Sequence, residues 1–207
     1  MSKIILDLCG GTGSWSKPYK DAGYDVRLIT LPENDVLTYK PPENVYGILA
    51  APPCDNFAVS GARWFKEKDK DGRTAHSVAI LMACMDIIQK SNPVFWCLEN
   101  PVGRIIHWIG KPHIYFNPCD YGDPWTKKTG LWGKFNIPKK NPVEAKNNFL
   151  PHKILSKTVS QNQINKLIDA KYLPKNYKEI YGDLKDRKTI RAITPPGFAK
   201  AFFEANK

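Results

Sequence analysis

The sequence predicts an α/β fold built on a mostly parallel β-sheet. Two observations lead to this prediction: short apolar runs end in turn or polar residues, and a glycine-rich turn with a helical segment separates the first two runs. A strand, a crossover helix and a second strand are typical of parallel neighbours joined by a right-handed connection. The 207 residues are enough for one domain with a sizeable core.

The first unit of this fold is expected within the first 30 residues. Residues 3–8 read as a buried strand, residues 9–14 as a glycine-rich turn and residues 24–30 as a second strand. A helix is predicted over residues 16–23, because this segment has a serine that can cap it, a proline in its first turn and a glycine at its end.

The rest of the chain continues the pattern. A third strand over residues 46–50 leads into a Pro-Pro-Cys loop, and a fourth over residues 94–98 ends at Glu99-Asn100. Apolar residues at helical spacing predict a helix over residues 75–91. The other expected elements are loops over 31–44 and 65–74, a short helix within 105–112, a strand over 114–116, a loop and hairpin over 119–133, a helical patch over 159–170 and a final helix over 198–205.

Charge is distributed unevenly along the chain. The formal net charge is +11, and residues 139–191 hold 13 Lys and Arg against 5 Asp and Glu, whereas residues 1–138 hold 16 against 14. This basic block suggests a polyanionic partner, although a lysine-rich segment is often only a solvated surface.

The five cysteines argue against a disulfide framework. Their number is odd and no CxxC pair occurs, so neither paired disulfides nor a structural zinc site is expected, and no metal is predicted. A reducing cytoplasm is the expected compartment. No membrane-spanning run or secretory signal is predicted, and a monomer is expected.

The loop after the third strand presents Cys54. Its two prolines cannot continue a sheet ladder, so the chain must turn there and present the thiol beyond the strand end. Because ligands collect at the carboxyl edge of parallel sheets, Cys54 is a candidate nucleophile, with Glu99 arriving at the same edge as a candidate acid. The alternative is a small buried hydrophobe, as free cysteines often are.

The glycine turn after the first strand is a candidate cofactor site. Glycines there let a ligand approach the backbone, with a helix N-terminus behind it. The spacing fits neither the GxGxxG pattern of dinucleotide folds nor a P-loop, so a small nucleoside-type cofactor is favoured. A tight packing turn is the alternative.

Three motifs in this order carry a family resemblance. Asp-Leu-x-x-Gly-x-Gly at residues 7–13, Pro-Pro-Cys-x-x-Phe at 52–57 and Glu-Asn at 99–100 resemble the DNA (cytosine-5) methyltransferases, and most of all the short versions carried by bacteriophages. The resemblance implies a Rossmann-like SAM-dependent methyltransferase fold with a small basic C-terminal lobe. It also implies S-adenosylmethionine (SAM) as cofactor and DNA as partner, with a cytosine flipped into the site.

The same resemblance assigns roles to residues. Cys54 would attack cytosine C6 and Glu99 would hydrogen-bond the ring. The implied catalytic residues are Cys54, Glu99, Asn100 and Lys127, and the implied cofactor-binding residues are Asp7, Leu8, Gly10, Gly11, Thr12, Gly13, Trp15, Asp35, Val36 and Pro52. A phage-encoded enzyme of this kind would act in the host cytoplasm. It would protect phage DNA from restriction by the host's restriction-modification systems.

The resemblance also implies a domain organisation. Residues 1–138 would form the SAM-binding catalytic domain, residues 139–190 a short basic lobe serving as a reduced target-recognition region, and residues 191–207 a helix returning to the catalytic domain. Because lysines contact phosphates without reading bases, short or relaxed sequence specificity, or help from another protein, is expected.

Several positions depart from the family pattern. The usual Gln after Pro-Cys and Ser after Phe are Asp55 and Ala58 here, and Thr30 stands where an acidic residue usually ends the second strand. Arginines that follow the family's Tyr-Gly motif are lysines, of which Lys127 is the best candidate to replace them. A point charge on Lys is not equivalent to the planar fork of Arg.

Two other kinds of function remain open at this point. The same chemistry could act on RNA or a free cytosine nucleotide, or the chain could bind SAM or nucleic acid without catalysis. A cysteine hydrolase is disfavoured, because none of the four histidines lies in a motif that pairs it with Cys54.

Overall fold

The computed structural model describes residues 2–145, 147–148 and 193–207. Its main feature is a six-stranded sheet in the order β2-β1-β3-β4-β7-β5, and a second sheet pairs β6 with β8. The strands are β1 (Ile4–Leu8), β2 (Asp25–Ile29), β3 (Val45–Ala50), β4 (Phe95–Pro101), β5 (Ile114–Phe116), β6 (Trp125–Thr126), β7 (Thr129–Lys134) and β8 (Asn147–Asn148). The helices are α1 (Lys17–Asp21), α2 (Phe65–Lys70), α3 (Arg73–Ser91), α4 (Ile106–Ile109) and α5 (Pro196–Ala205), with 3-10 turns at Val59–Trp64 and Pro118–Tyr121.

The sheet is mostly parallel, which confirms the predicted fold class. Strands β1 to β4 run parallel to their neighbours, and only β7 is antiparallel, between β4 and β5. In register, Leu8 of β1 pairs with Ala50 of β3, and Ala50 pairs with Leu98 of β4. The segments that follow these three residues therefore start side by side at the carboxyl edge of the sheet.

Successive side chains along the strands belong alternately to two separate apolar clusters. Leu6 and Ile48 belong to the cluster that contains the buried side of α3, whereas Ile5 and Leu49 belong to the cluster that contains Trp15 and the buried residues of α1 and α5. Successive residues of a strand point to opposite faces, so this alternation places helices on both faces of the sheet. The result is three packed layers with the site at one edge.

The final helix completes the layer that covers the glycine turn. Trp15 lies 5.9 Å from Phe198 and 5.4 Å from Phe202, measured between ring centroids. Thr194 N donates to Ser14 Oγ at 2.9 Å, and Gly197 N donates to Asp123 Oδ2 at 3.0 Å. The C-terminal segment thus fastens the start of the chain to the loop before β6.

Two secondary-structure predictions are wrong. Residues 65–70 form helix α2 rather than a loop, because Arg104 packs on Phe65 and pairs with Asp69, a contact that the local sequence does not reveal. Glu99 and Asn100 lie within β4 rather than beyond it, because β7 pairs with this strand as far as Pro101.

Two predicted features of the C-terminal third cannot be compared with the structure. The helical patch over 159–170 and nearly all of the basic block lie outside the described residues. In the ranges that are described, no helix has the length and apolar character needed to cross a bilayer. The same ranges contain no cluster of three or more His, Cys, Asp or Glu residues suited to a metal ion.

Candidate active site

The glycine turn after β1 is shaped by positive backbone angles. Cys9, Gly11 and Gly13 have φ values of 57°, 55° and 70°. Asp7 lies directly against this turn, since a Cβ on Gly10 would come within 2.4 Å of the Asp7 carboxyl group. Gly10 is therefore required for close packing, and Gly11 and Gly13 suit the left-handed conformation.

Asp7 is fully buried in this arrangement. Ser16 Oγ donates a 2.5 Å hydrogen bond to Asp7 Oδ2, while Oδ1 has no hydrogen-bond partner among the described residues. Burial raises the pKa of Asp7 to about 6, and the hydrogen bond from Ser16 opposes that rise. A buried carboxyl oxygen without a partner is a place where a polar ligand group can be accepted.

The outer side of the turn is open. Gly11 and Thr12 are exposed, and no atom lies within 4 Å of the position that a Cβ of Gly11 would take among the described residues. A ligand can therefore approach the backbone here.

The remaining candidate cofactor residues differ in exposure. Leu8, Trp15 and Val36 are buried side chains of the two apolar clusters. Asp35 is half-buried, and its Oδ1 accepts a 2.9 Å hydrogen bond from Leu37 N. Their contact with a cofactor stays a prediction.

The Cys54 loop is fixed to the two strands beside it. Ala51 N donates to Leu8 O at 2.9 Å, and Asn100 Nδ2 donates to the carbonyl of buried Pro52 at the same distance. The carbonyl of Cys54 accepts hydrogen bonds from Phe57 N and Ala58 N, both at 2.9 Å, which closes a tight turn. The half-buried thiol is thereby held just past β3.

Asn100 acts on this loop through its side chain. It is 1% exposed, and apart from the bond to Pro52 its Oδ1 has no hydrogen-bond partner within the described part of the chain. The structure therefore supports a role for Asn100 in placing the loop, with one free acceptor left in the site.

Glu99 and Lys127 come together at the same edge. Lys127 Nζ lies 4.0 Å from Glu99 Oε1, and their side chains are 25% and 16% exposed. Because β7 runs antiparallel to β4, the residues just before its first residue, Thr129, return to the active edge. This explains how Lys127 reaches a residue 28 positions earlier in the chain.

The charges of these two residues both act on Cys54. Burial raises the pKa of the Cys54 thiol, Lys127 lowers it, and Glu99 and Asp55 raise it. Burial also raises the pKa of Glu99, against the opposing effects of Lys127 and of a hydrogen bond from Thr129. A carboxyl of raised pKa can hold a proton for a substrate, while the cation favours the thiolate that attacks.

Sequence reasoning missed Arg104. Its Nε donates to Asn56 O at 2.9 Å, inside the Cys54 loop, and its Nη2 donates to Thr74 Oγ1 at 2.7 Å. The contacts of Arg104 join segments that are 30 to 48 residues apart, so the sequence does not reveal them. The one feature that points to a role for Arg104 is its position shortly after Glu99-Asn100.

Comparisons with known proteins give two similarities. No protein-family model matches the chain. Over 168 residues the chain is 24% identical to Type II methyltransferase M.DdeI of Desulfomicrobium norvegicum, an alignment that covers 60% of this chain and 38% of that protein. A solved E. coli protein described as a DNA modification methyltransferase encoded within a prophage has 17% identity and a TM-score of 0.47, over 69% of this chain and 53% of the other. The chain thus spans well under half the length of its curated relative.

Proposed function

We propose that this chain is a SAM-dependent methyltransferase that methylates C5 of cytosine in DNA through a covalent bond between Cys54 and C6. The observation that carries the proposal is the meeting of a half-buried thiol, a carboxyl of raised pKa and a lysine at one sheet edge, beside an open glycine turn. The name of the curated relative, a Type II methyltransferase, supports methyl transfer in general.

The proposed role of Cys54 is to make C5 of cytosine reactive toward a methyl group. C5 of cytosine is a weak nucleophile, whereas addition of the Cys54 thiolate to C6 places electron density on C5. Lys127 stabilises the thiolate, because a nearby cation favours the charged form of a thiol. Attack by sulfur forms the C6–S bond and breaks the C5–C6 π bond.

Glu99 is suited to the ring nitrogen. Its raised pKa lets it hold a proton and donate to N3 as negative charge develops there. Lys127, 4.0 Å from Glu99, limits that rise and keeps the carboxyl able to give up and regain its proton. After transfer, water takes the C5 proton and N3 returns its proton to Glu99, so that departure of Cys54 restores the C5–C6 double bond and the free thiolate.

The glycine turn fits the cofactor that this chemistry requires. Bound SAM would supply an electrophilic methyl group for C5 to attack. The open backbone at Gly11 and Thr12 and the Asp7 oxygen without a partner among the described residues are the groups that would hold it, together with Asp35, which the family resemblance assigns to the cofactor. Asp7 Oδ1 can accept a hydrogen bond from such a ligand, while burial raises the pKa of the carboxyl group and the hydrogen bond from Ser16 opposes that rise.

DNA is the proposed substrate because of charge and access. The basic block of residues 139–191 is suited to a phosphate backbone. A paired base cannot reach a half-buried thiol, so the target cytosine would have to leave the helix, at a cost of a few kcal/mol.

Label transfer tests this function directly. The purified protein is incubated with SAM labelled in its methyl group and with duplex DNA, RNA or free cytosine nucleotide in separate reactions. We expect label in duplex DNA, and hydrolysis of that DNA should yield labelled 5-methylcytosine. Label in adenine would contradict the C5 mechanism. Label only in RNA or nucleotide would contradict the substrate, and binding of SAM without transfer would indicate a binding protein.

A trapping experiment tests the covalent step. A duplex with 5-fluorocytosine at a methylated position cannot lose a proton from C5, so Cys54 should remain attached to C6. Mass spectrometry should then find the adduct on the peptide that contains Cys54, and the same duplex with ordinary cytosine is the control. An adduct on another cysteine would remove Cys54 from the mechanism.

A further inference from the structure

Arg104 links the Cys54 loop to the helices that pack beside it. Its side-chain Nε donates to Asn56 O and its backbone N donates to Phe57 O, each at 2.9 Å. Two consecutive carbonyls of the loop, two and three residues after Cys54, therefore bond to one residue. The chain passes so closely here that a Cβ on Gly103 would lie 2.0 Å from Phe57 O.

The other end of the guanidinium group is anchored to two helices. Nη1 and Nη2 contact the Asp69 carboxylate at 2.8 and 2.7 Å, and Nη2 also donates to Thr74 Oγ1 at 2.7 Å. The guanidinium carbon lies 3.8 Å from the ring centroid of Phe65. Arg104 is thus held by α2 and α3 from one side while it holds the loop on the other, with its side chain only 14% exposed.

A second contact fixes the same peptide segment. Asn56 Nδ2 donates to Ser77 Oγ at 2.7 Å and to Arg73 O at 3.0 Å, both on α3. The side chain of Asn56 is therefore tied to α3 directly, and its carbonyl is tied to α3 and α2 through Arg104.

We infer that Arg104 is the positioning residue that holds the Cys54 loop in its reactive conformation. This inference rests on the proposed role of Cys54 as nucleophile. The planar group makes three kinds of contact at once, to a carbonyl, a carboxylate and a hydroxyl, and it stacks on a ring. Lysine cannot reproduce this pattern, because its ammonium is a single point of charge without a fixed fork.

If Arg104 has this role, its replacement should change two rates in opposite directions: the alkylation of Cys54 and the transfer of the methyl group. If the loop loosens, the thiol becomes more exposed, so small reagents should reach it faster. Methyl transfer should become slower, because a displaced nucleophile loses catalytic alignment. Loss of a residue that only stabilises the fold would also speed the alkylation of buried Cys84 and Cys97, whereas loss of a positioning residue should change Cys54 alone.

The test uses the full-length chain and the variants Arg104→Lys and Arg104→Gln. Alkylation of Cys54 by iodoacetamide is followed by mass spectrometry of its peptide from pH 6 to 10, and methyl transfer to duplex DNA is measured in parallel. We expect alkylation of Cys54 at pH 8 to rise at least threefold and its pH midpoint to fall, because burial no longer raises its pKa as much. We expect kcat to fall at least tenfold, with KM for SAM within twofold.

Arg27→Lys is the matched control. Arg27 forms a partly exposed ion pair with Asp25 on β2, far from the loop in the chain, and the variant should keep the wild-type alkylation profile and kcat. Unchanged profiles and kcat in both Arg104 variants would overturn the inference. If the wild-type chain transfers no methyl group, the proposed function fails, while the alkylation profiles still decide whether Arg104 positions Cys54.

Asp69→Asn tests the same point if the Arg104 variants do not fold. The Asp69 side chain is 49% exposed, so its replacement should leave the core intact while weakening the anchor of Arg104. Faster alkylation and slower transfer, in the same directions but smaller, are expected. Wild-type values for both rates in Asp69→Asn would overturn the inference.

Discussion

The glycine turn after β1 and the Cys54 loop after β3 leave neighbouring strands at the same edge, yet different contacts hold them. The turn is fixed from within: Ser16 bonds Asp7 only nine residues away, and Gly10 packs on the same carboxyl group. The loop is fixed from outside, by Asn100 and Arg104, each 48 residues from its partner. The hydrogen bond that shapes the turn is thus local, although α5 completes the layer that covers it, whereas the hydrogen bonds that place the nucleophile come from distant segments.

The largest expected effect is a loss of methyl transfer without a loss of SAM binding, which would show that the Cys54 loop carries the chemistry and the glycine turn the binding. In Cys54→Ala, methyl transfer should fall by at least about 10³-fold, because loss of a nucleophile typically costs this much or more. The affinity for SAM, measured by calorimetry, should stay within twofold. Cys119→Ala, which also removes a half-buried thiol, is the control and should keep wild-type activity. Activity of Cys54→Ala within tenfold of wild type would place the nucleophile elsewhere.

The next effect concerns the buried carboxyl of the turn. The pKa of Asp7 is raised to about 6, so ionising it in the folded protein costs free energy that appears as pH rises from about 4 to 6. By linkage this cost is about 3 kcal/mol above pH 6. In Asp7→Asn the cost is absent, so the unfolding free energy of the variant relative to wild type should increase over that window.

Denaturant unfolding at pH 4, 5, 6 and 7 measures this difference. Asp123, whose pKa is also raised to about 6 by burial, is present in both proteins, so its contribution cancels in the comparison. Two curves that stay parallel from pH 4 to 7 would show that Asp7 does not titrate as described.

A smaller effect is expected from Lys127, the cation that acts on the Cys54 thiol. In Lys127→Met, methyl transfer should fall about 10- to 100-fold, because the thiolate of Cys54 and the carboxylate of Glu99 both lose a stabilising charge. The pKa of Cys54, read from the pH dependence of alkylation, should rise. Lys134→Met, at the end of β7 farthest from Lys127, is the control. A Cys54 alkylation profile that does not move would separate Lys127 from the thiol.

The smallest effects compare one hydrogen bond in each segment. Ser16→Ala and Asn100→Ala should each lower the unfolding free energy by about 1 to 2 kcal/mol, since each removes a bond to a buried acceptor. Only Asn100→Ala should change the alkylation rate of Cys54. An equal change in Ser16→Ala would mean that the two segments are not held independently.

The same contrast explains how much could be predicted from the sequence. The strand, turn and helix unit at the start of the chain follows from local patterns, so its elements and parallel pairing were predicted to within a few residues. The Cys54 loop and Glu99 were predicted at one edge, and the register of Leu8, Ala50 and Leu98 accounts for their meeting. The final helix was predicted over residues 198–205 and extends over Pro196–Ala205.

Features that depend on distant contacts could not be predicted in this way. Helix α2 reads as a charged loop, and the contacts of its Phe65 and Asp69 come from Arg104, which lies more than 30 residues later. The strand β4 extends through Glu99 and Asn100 only because β7 pairs there. Lys127 was a candidate through family resemblance, while its 4.0 Å approach to Glu99 requires the antiparallel return of β7.

The contacts of α5 carry a consequence for the order in which the protein can be assembled during synthesis. Tyr19 Oη donates to Asn206 O at 3.3 Å, and Thr194 N donates to Ser14 Oγ, so partners 187 and 180 residues apart meet under the glycine turn. Until residue 206 has left the ribosome, Trp15 and Tyr19 lack the ring contacts that α5 provides. A nascent chain of 145 residues would therefore contain every proposed catalytic residue and still lack the layer that supports its turn.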